Sequence, residues 1–497
     1  MNDYVACDAT ELAARVRRGE VQPAELVETA IAAIESVNPA LNAVMHPMYD
    51  AARAAVRALP DGPFRGVPMV VKDHDGFLKG EPHTSGTRFL EGFVPDHDSE
   101  AMARLRRAGL VFMAKTNLPE LAILGTTEGR LRGPARNPWN PDHSTGGSSG
   151  GSAALVASRA VPLGHGGDGG GSLRIPASAC GLVGFKTTRG RVTLAPDFGE
   201  DWGGYTSWGC LARSVRDAAG LIDVMAGPAP GDPYTVPPLE RPLAAEVGAP
   251  PAKLRVAFTA GSLFGKGTHT ECRVAVESAA HLLADLGHKV EEARPEFDRE
   301  IQVRAYLTQV AASVASEIET MGRWVGRKPS PSYFEPSTWF LYQIGRRLSA
   351  AELQQARDAC QTAGRSLAAF FSRYDLFVTP TLAYPPVRLG ELALKPIEAA
   401  ALAALRALPV GAALRAILAQ LADTSLERTP NTQLFNQTGQ PAVSLPLYQT
   451  PEGLPVGVQL AARYAEEPLL VRVASQLEEA RPWKDRRPRV LASISAG

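Results

Sequence analysis

Gly146-Gly147-Ser148-Ser149-Gly150-Gly151-Ser152 is followed by Gly164-His165-Gly166-Gly167-Asp168-Gly169-Gly170-Gly171-Ser172-Leu173-Arg174, and these two runs decide how the rest of the chain is read. They form two glycine-packed turns, each presenting serine, around the small-residue run Ala153 to Ala160. Glycine accepts positive φ and lets another group approach the backbone closely. Two such turns bring serine hydroxyls and bare backbone N–H groups towards one point. An acyl-transfer site needs those parts: a nucleophile, a proton relay and donors for an oxyanion.

Upstream, Gly66-Val67-Pro68-Met69-Val70-Val71-Lys72-Asp73 reads as a buried strand with Lys72 at its end. A lysine leaving an apolar strand is most often a solvated end residue. Strand, helix and strand alternate around it. Asp98-Ser99-Glu100 opens a helix that Gly109 closes, and Leu110 to Ala114 is a strand. Leu182 to Thr187, Leu254 to Phe258, Lys289 to Glu291 and Leu376 to Thr379 also read as strands, with a helix from Glu271 to Leu286. Ser214 caps a helix to about Met225. The pattern predicts an α/β fold with helices on the faces of a sheet.

At the N-terminus, helices are expected after Asp8, after Pro23 and from about Asp50 to Leu59, with Asn38-Pro39 stopping the second. Residues from about Arg299 to Arg373 read as helices broken at Lys328-Pro329-Ser330-Pro331. Ile397 to Ala422 is rich in alanine and leucine, with Pro409-Val410-Gly411 in its middle, and predicts a helical hairpin over the core. Ala442 to Leu447 and Val456 to Ala461 read as strands around a turn, and Pro468 begins the last helix.

The 497 residues are 45% hydrophobic and 21% charged, which is ordinary globular composition. Lys+Arg and Asp+Glu both number 52, so nothing points to nucleic acid or an acidic membrane as partner. The 5 cysteines form no C-x-x-C pair, which suggests no zinc site and no disulfide framework. A reducing cytoplasm is the simplest setting. No apolar run reaches the ~18 residues of a membrane span, and the first residues do not read as a signal peptide.

Two motifs fail on their surroundings. Gly164-x-Gly166-x-x-Gly169 matches the dinucleotide fingerprint by letters, but Pro176 follows shortly and later positions hold Arg189 and Arg191 in place of an acid. Phe264-Gly265-Lys266-Gly267 lacks both the earlier glycine and the Ser/Thr of a phosphate loop. His143 and His165 lie near the serines, so a Ser-His-Asp triad with Asp142 or Asp168 stays open, although Ser172 does not sit in a G-x-S-x-G elbow.

At this point the chain resembles the amidase signature family. The resemblance is carried by Gly146 to Ser152, Asp168 to Ala177, Cys180-Gly181-Leu182-Val183-Gly184-Phe185-Lys186 and the Lys72 motif, and it continues weakly to Gly453-Leu454-Pro455-Val456-Gly457-Val458-Gln459. It implies a single amidase domain over residues 1–497. The expected core is a mixed, largely parallel β-sheet flanked by helices, with a less similar helical insertion at 299–426 forming the substrate pocket or lid. It further implies a Ser-cisSer-Lys triad of Ser172 as nucleophile, Ser148 as bridging serine and Lys72 as base. The N–H groups of Gly169, Gly170, Gly171 and Ser172 are the implied oxyanion hole, and Ser149, Asp168 and Arg174 the supporting residues.

The implied activity is cleavage of amide C–N bonds, with carbamates and esters as further substrates, by an enzyme that needs no cofactor or metal. The branch that includes cyclic nylon-oligomer hydrolase, aryl acylamidases and urethanases is most similar. The expected partner is a small amide or carbamate with apolar groups, met by a monomer or homodimer. The alternative is a glutamine amidotransferase A-type subunit that supplies ammonia to a partner. Against it, Thr429 stands where glutamine-specific members carry an acid before Asn436-x-x-Gly439-x-Pro441, although Glu427 is close.

Overall fold

The computed structural model describes residues 3–393 and 426–493. Its centre is an 11-stranded sheet. In chain order the strands are β1 (Val44–Pro47), β2 (Pro68–Lys72), β3 (Val111–Thr116), β4 (Arg136–Asn137), β5 (Asn140–Ser144), β6 (Leu163–Asp168), β7 (Val183–Lys186), β8 (Ser207–Ala212), β9 (Arg255–Phe258), β10 (Lys289–Glu292), β11 (Leu376–Pro380), β12 (Ala442–Gln449) and β13 (Pro455–Ala462). β4 and β5 pair apart from the rest, and the large sheet runs β1-β3-β2-β6-β8-β7-β12-β13-β11-β9-β10. The sheet is mixed. One parallel block, β3-β2-β6, lies towards one edge and another, β11-β9-β10, at the other; the strands between them pair antiparallel. Helices flank the sheet, as the alternation of elements requires. No described helix is long and apolar enough to cross a membrane.

Two expectations need correction. The run Gly164 to Asp168 is not a turn but the strand β6, buried along its whole length and paired residue by residue with β8. Glycines stand there because neighbours crowd the strand: a Cβ on Gly166 would come within 2.5 Å of the Ser149 hydroxyl. The helix from Pro23 does not stop at Asn38 but runs through Pro39 to Leu41. Glu35 and Pro39 are both exposed, so the carbonyl that loses its intrahelical donor faces water. The Asn38 side chain then receives the Ala43 and Val44 N–H groups beyond the helix end.

The helical region after β10 consists of Arg299–Val325, Pro336–Gly345 and Ala350–Arg373. The stretch Ile397 to Ala422 lies outside the described residues. The apolar interior falls into two main clusters. The larger one packs β-strands such as β2, β3 and β12 against the flanking helices. The second is rich in aromatic residues, including Tyr306, Trp339, Phe340, Phe370 and Phe377, and joins the three helices to Trp202 and Tyr205. The nucleophile candidate stands between them: Leu173 belongs to the first cluster and Tyr306 to the second.

The packing of those helices gives a test of the second cluster. A Cβ on Gly345 would collide with the Ala311 carbonyl of the facing helix and lie 2.7 Å from the Ala315 Cβ. Overpacking of this kind costs typically about 1–3 kcal/mol. Gly345→Ala is therefore expected to lower the unfolding free energy measured in urea by that amount, and a value equal to wild type would show that the two helices are not in such close contact.

Candidate active site

β6 delivers Asp168 to the start of the turn that carries Ser172, and the turn enters the helix Arg174–Cys180. The Asp168 carboxylate organises this turn. It receives the Gly171 N–H at 2.7 Å, the Leu173 N–H at 3.2 Å, and Arg174 through Nε at 3.0 Å and Nη2 at 2.7 Å. Both side chains are fully buried. Arg174 has further acceptors in the Thr432 carbonyl (2.9 Å), Gln459 Oε1 (2.6 Å) and Asn436 Oδ1 (2.7 Å). Asn436 in turn donates to the Asp168 carbonyl at 2.6 Å. Burial alone would raise the Asp168 pKa. The Arg174 guanidinium outweighs it and holds the carboxyl down at about 2.

The turn has no spare room. Gly171 has φ +125°, and a Cβ there would strike the Thr432 hydroxyl, which itself donates to the Gly170 carbonyl at 2.6 Å. A Cβ on Gly170 would strike the Tyr306 hydroxyl.

The other serine loop leads into the helix Gly150–Ala157, which packs against β6. Its Gly147–Ser148 peptide bond is cis. The Ser149 N–H donates to the Ser172 carbonyl at 3.3 Å, so the two serine loops touch. Thr127 Oγ1 donates to the Gly146 carbonyl at 2.9 Å and holds the loop from below. The hydroxyls of Ser148 and Ser149 are buried and have no hydrogen-bond partner among the described residues.

Lys72 ends β2, which runs parallel to β6 in the register Met69–Leu163 and Val70–Gly164. Its Nζ is 2.7 Å from Asp75 Oδ2, with side-chain exposures of 1% and 3%. The same Asp75 oxygen accepts the Gly167 N–H at 2.6 Å. One carboxylate thus ties the lysine to the strand that leads to Ser172. Burial opposes ionisation of Asp75, but Lys72, then His74, keep its carboxyl below the usual carboxylate range. The bland alternative of a solvated strand-end lysine does not apply here.

The amidase family profile matches residues 25–471, most of the chain and all of these loops. The chain belongs to the amidase signature family. It is an enzyme that acts on amides. The amidase is 39% identical over 495 residues to 6-aminohexanoate-cyclic-dimer hydrolase of Pseudomonas sp. strain NK87, covering 97% of each chain. Among solved structures it is similar to 6-aminohexanoate cyclic dimer hydrolase complexed with substrate, with TM-score 0.90 and 36% identity over 98% of this chain and 99% of the other. A bacterial aryl acylamidase of the amidase signature family superposes with TM-score 0.82 and 26% identity, covering 96% of each.

The two histidines are not brought to the serines as a relay. His165 sits in β6, fully buried against Trp208, and neither ring nitrogen has a partner among the described residues. Burial lowers its pKa to about 4. His143 lies in β5, where it bridges to Arg388. The Asp168 carboxylate is taken up by the turn and Arg174, with no histidine among its partners. Sequence reading missed Asp75 as the partner of Lys72, and Tyr306 and Gln433 as neighbours of Gly170. Asp75 was within reach of inspection, since it closes the polar run Lys72-Asp73-His74-Asp75; the others come from distant helices and carry no local mark.

The Asp168–Arg174 pair makes a pH prediction. The native pKa lies below the ordinary value of 3.8, so its stabilisation is complete above about pH 4 and is lost as pH falls through about 2. The loss attributable to this carboxyl is about 2–3 kcal/mol. Asp168→Asn should remove that component and, by leaving Arg174 unpaired, destabilise the amidase by about 3–5 kcal/mol at neutral pH. Urea unfolding at several pH values checks both; a variant with wild-type stability and wild-type acid sensitivity contradicts the assignment.

Proposed function

We propose that this amidase hydrolyses small amides carrying apolar groups through an acyl-enzyme formed on Ser172, with Ser148 relaying protons to and from Lys72. Carbamates and esters are the proposed further substrates, and a cytoplasmic setting is supported by its five cysteines, all of which are unpaired. The observation that carries the reading is the contact between the two serine loops, Ser149 N–H to Ser172 carbonyl, together with the buried lysine that ends β2, the strand paired with β6. A serine hydroxyl attacks only when a base takes its proton. Ser148 suits the relay because a hydroxyl donates and accepts at once, and its oxygen is not engaged elsewhere among the described residues. Lys72 can take the proton only in its amine form, and the cation it then becomes stands beside the ionised Asp75, which stabilises it.

The oxyanion forming on the substrate carbonyl is received by backbone N–H groups of the Gly169–Ser172 turn. The Gly171 N–H is committed to Asp168, so we assign this role to Gly169, Gly170 and Ser172 rather than to all four. The amine leaves with the proton returned through Ser148, and water then hydrolyses the acyl-enzyme by the reverse relay. Two features favour a freestanding hydrolase over an amidotransferase subunit. Thr429 is uncharged, so a zwitterionic glutamine meets no acid there; instead its hydroxyl accepts a hydrogen bond from Gln433. The chain also resembles, over nearly its whole length, relatives named 6-aminohexanoate-cyclic-dimer hydrolase and aryl acylamidase.

Two measurements test this function. Ser172→Ala is expected to abolish anilide hydrolysis and labelling by a fluorophosphonate; a label found by mass spectrometry on another serine would overturn the nucleophile. Lys72→Ala should lower amide turnover by about 10²–10⁴-fold and ester turnover by less, because an amine must leave protonated. Equal losses on amide and ester, or near-normal amide turnover, would remove Lys72 from the relay.

A further inference from the structure

Gln433 stands beside the nucleophile turn with one end of its amide unused. It opens the helix Gln433–Thr438 and is only 3% exposed. Its Cγ lies 3.7 Å from the point where a side chain on Gly170 would begin. Its Nε2 donates to Thr429 Oγ1 at 3.2 Å, while its Oε1 is buried without a hydrogen-bond partner among the described residues. If the amide is turned over, the Thr429 hydroxyl donates to the oxygen and the NH₂ group is the open end. Either way a buried amide has one end unsatisfied, which is unfavourable until a ligand completes it.

Tyr306 reaches the same glycine from the helix Arg299–Val325 and touches the Cβ position of Gly170 with its hydroxyl. Its ring is fixed by stacking on Tyr205, with centroids 5.7 Å apart and planes 4° from parallel. Burial pushes the phenol pKa up, so the hydroxyl stays protonated and can donate. Gln433, Thr429 and Tyr306 are all uncharged. A carboxylate or ammonium group would find no counter-charge among them, whereas a neutral amide presents one acceptor and one donor.

We propose that Gln433 and Tyr306 form a polar subsite that recognises a second, uncleaved amide group of the substrate. Tyr306 donates to its carbonyl oxygen and Gln433 takes its N–H. The subsite is specificity-determining: it sets which amides are held with the scissile carbonyl over Ser172. It rests on the assignment of Ser172 as nucleophile, because its place is defined by the Ser172 turn.

The test compares ω-acetamidoacyl anilides with plain acyl anilides of equal chain length, as the ratio of their kcat/KM values. The wild-type enzyme is expected to prefer one acetamido chain length by at least tenfold. Gln433→Met, which keeps the length of the side chain without its amide, and Tyr306→Phe, which keeps the stacked ring, should each reduce that preference at least tenfold, mainly through KM. A wild-type enzyme with no preference, a preference unchanged in both variants, or equal losses on both substrate types would overturn the inference. Fluorophosphonate labelling of the variants separates this from the assignment it rests on. A label still on Ser172 with unchanged preference sinks the subsite alone, and a label elsewhere sinks the nucleophile and the subsite together.

Discussion

The buried ion pair between Asp168 and Arg174 is the interaction on which this architecture turns. A charge in a protein interior is tolerated only when paired and hydrogen-bonded. Here each partner is saturated by the segments that must be held together. Asp168 binds the backbone of its own turn, and Arg174 reaches the Thr432 carbonyl, Asn436 beyond it and Gln459 on β13. The turn, the helix after it and the C-terminal hairpin are therefore fixed by one electrostatic knot. Removing a member strands a charge where water does not reach, which makes the geometry of the turn all-or-none.

Around that knot the backbone is packed without side chains. Gly166, Gly167, Gly170 and Gly171 each sit where a Cβ would collide with a polar atom: the Ser149 hydroxyl, the Asp75 carboxylate, the Tyr306 hydroxyl and the Thr432 hydroxyl. The glycines do more than loosen the chain. They let hydroxyl and carboxylate groups from four other segments come up to the main chain, which is how one short run is surrounded by polar groups.

Much of this was legible in the sequence, and the boundary is physical. Lys72, Ser148, Ser172, Asp168 and Arg174 could be named because their motifs are local and dense, and the structure does bring the two serine loops together. The apolar strands β2, β3 and β9 were legible from composition alone. β6 was not, because Gly164-His165-Gly166-Gly167 has no strand propensity; its extended form is imposed by β2 and β8 on either side. Pro39 misled for the opposite reason: a local rule against proline is relaxed where the freed carbonyl is exposed. Tyr306 and Gln433 could not be found at all, since only the tertiary fold brings the helix Arg299–Val325 and the helix Gln433–Thr438 to Gly170.

The division of the interior into two apolar clusters has a bearing on how this enzyme can be altered. The strands bearing Lys72 and Asp168 belong to the sheet, whereas the helix carrying Tyr306 packs mainly within its own aromatic cluster. That cluster meets the sheet only through Ala257, Phe377, Ala442 and Ala461 on β9, β11, β12 and β13, so changes inside it leave the strands bearing Lys72 and Asp168 packed as they are. A library spread over β2 and β6 would mostly yield misfolded protein.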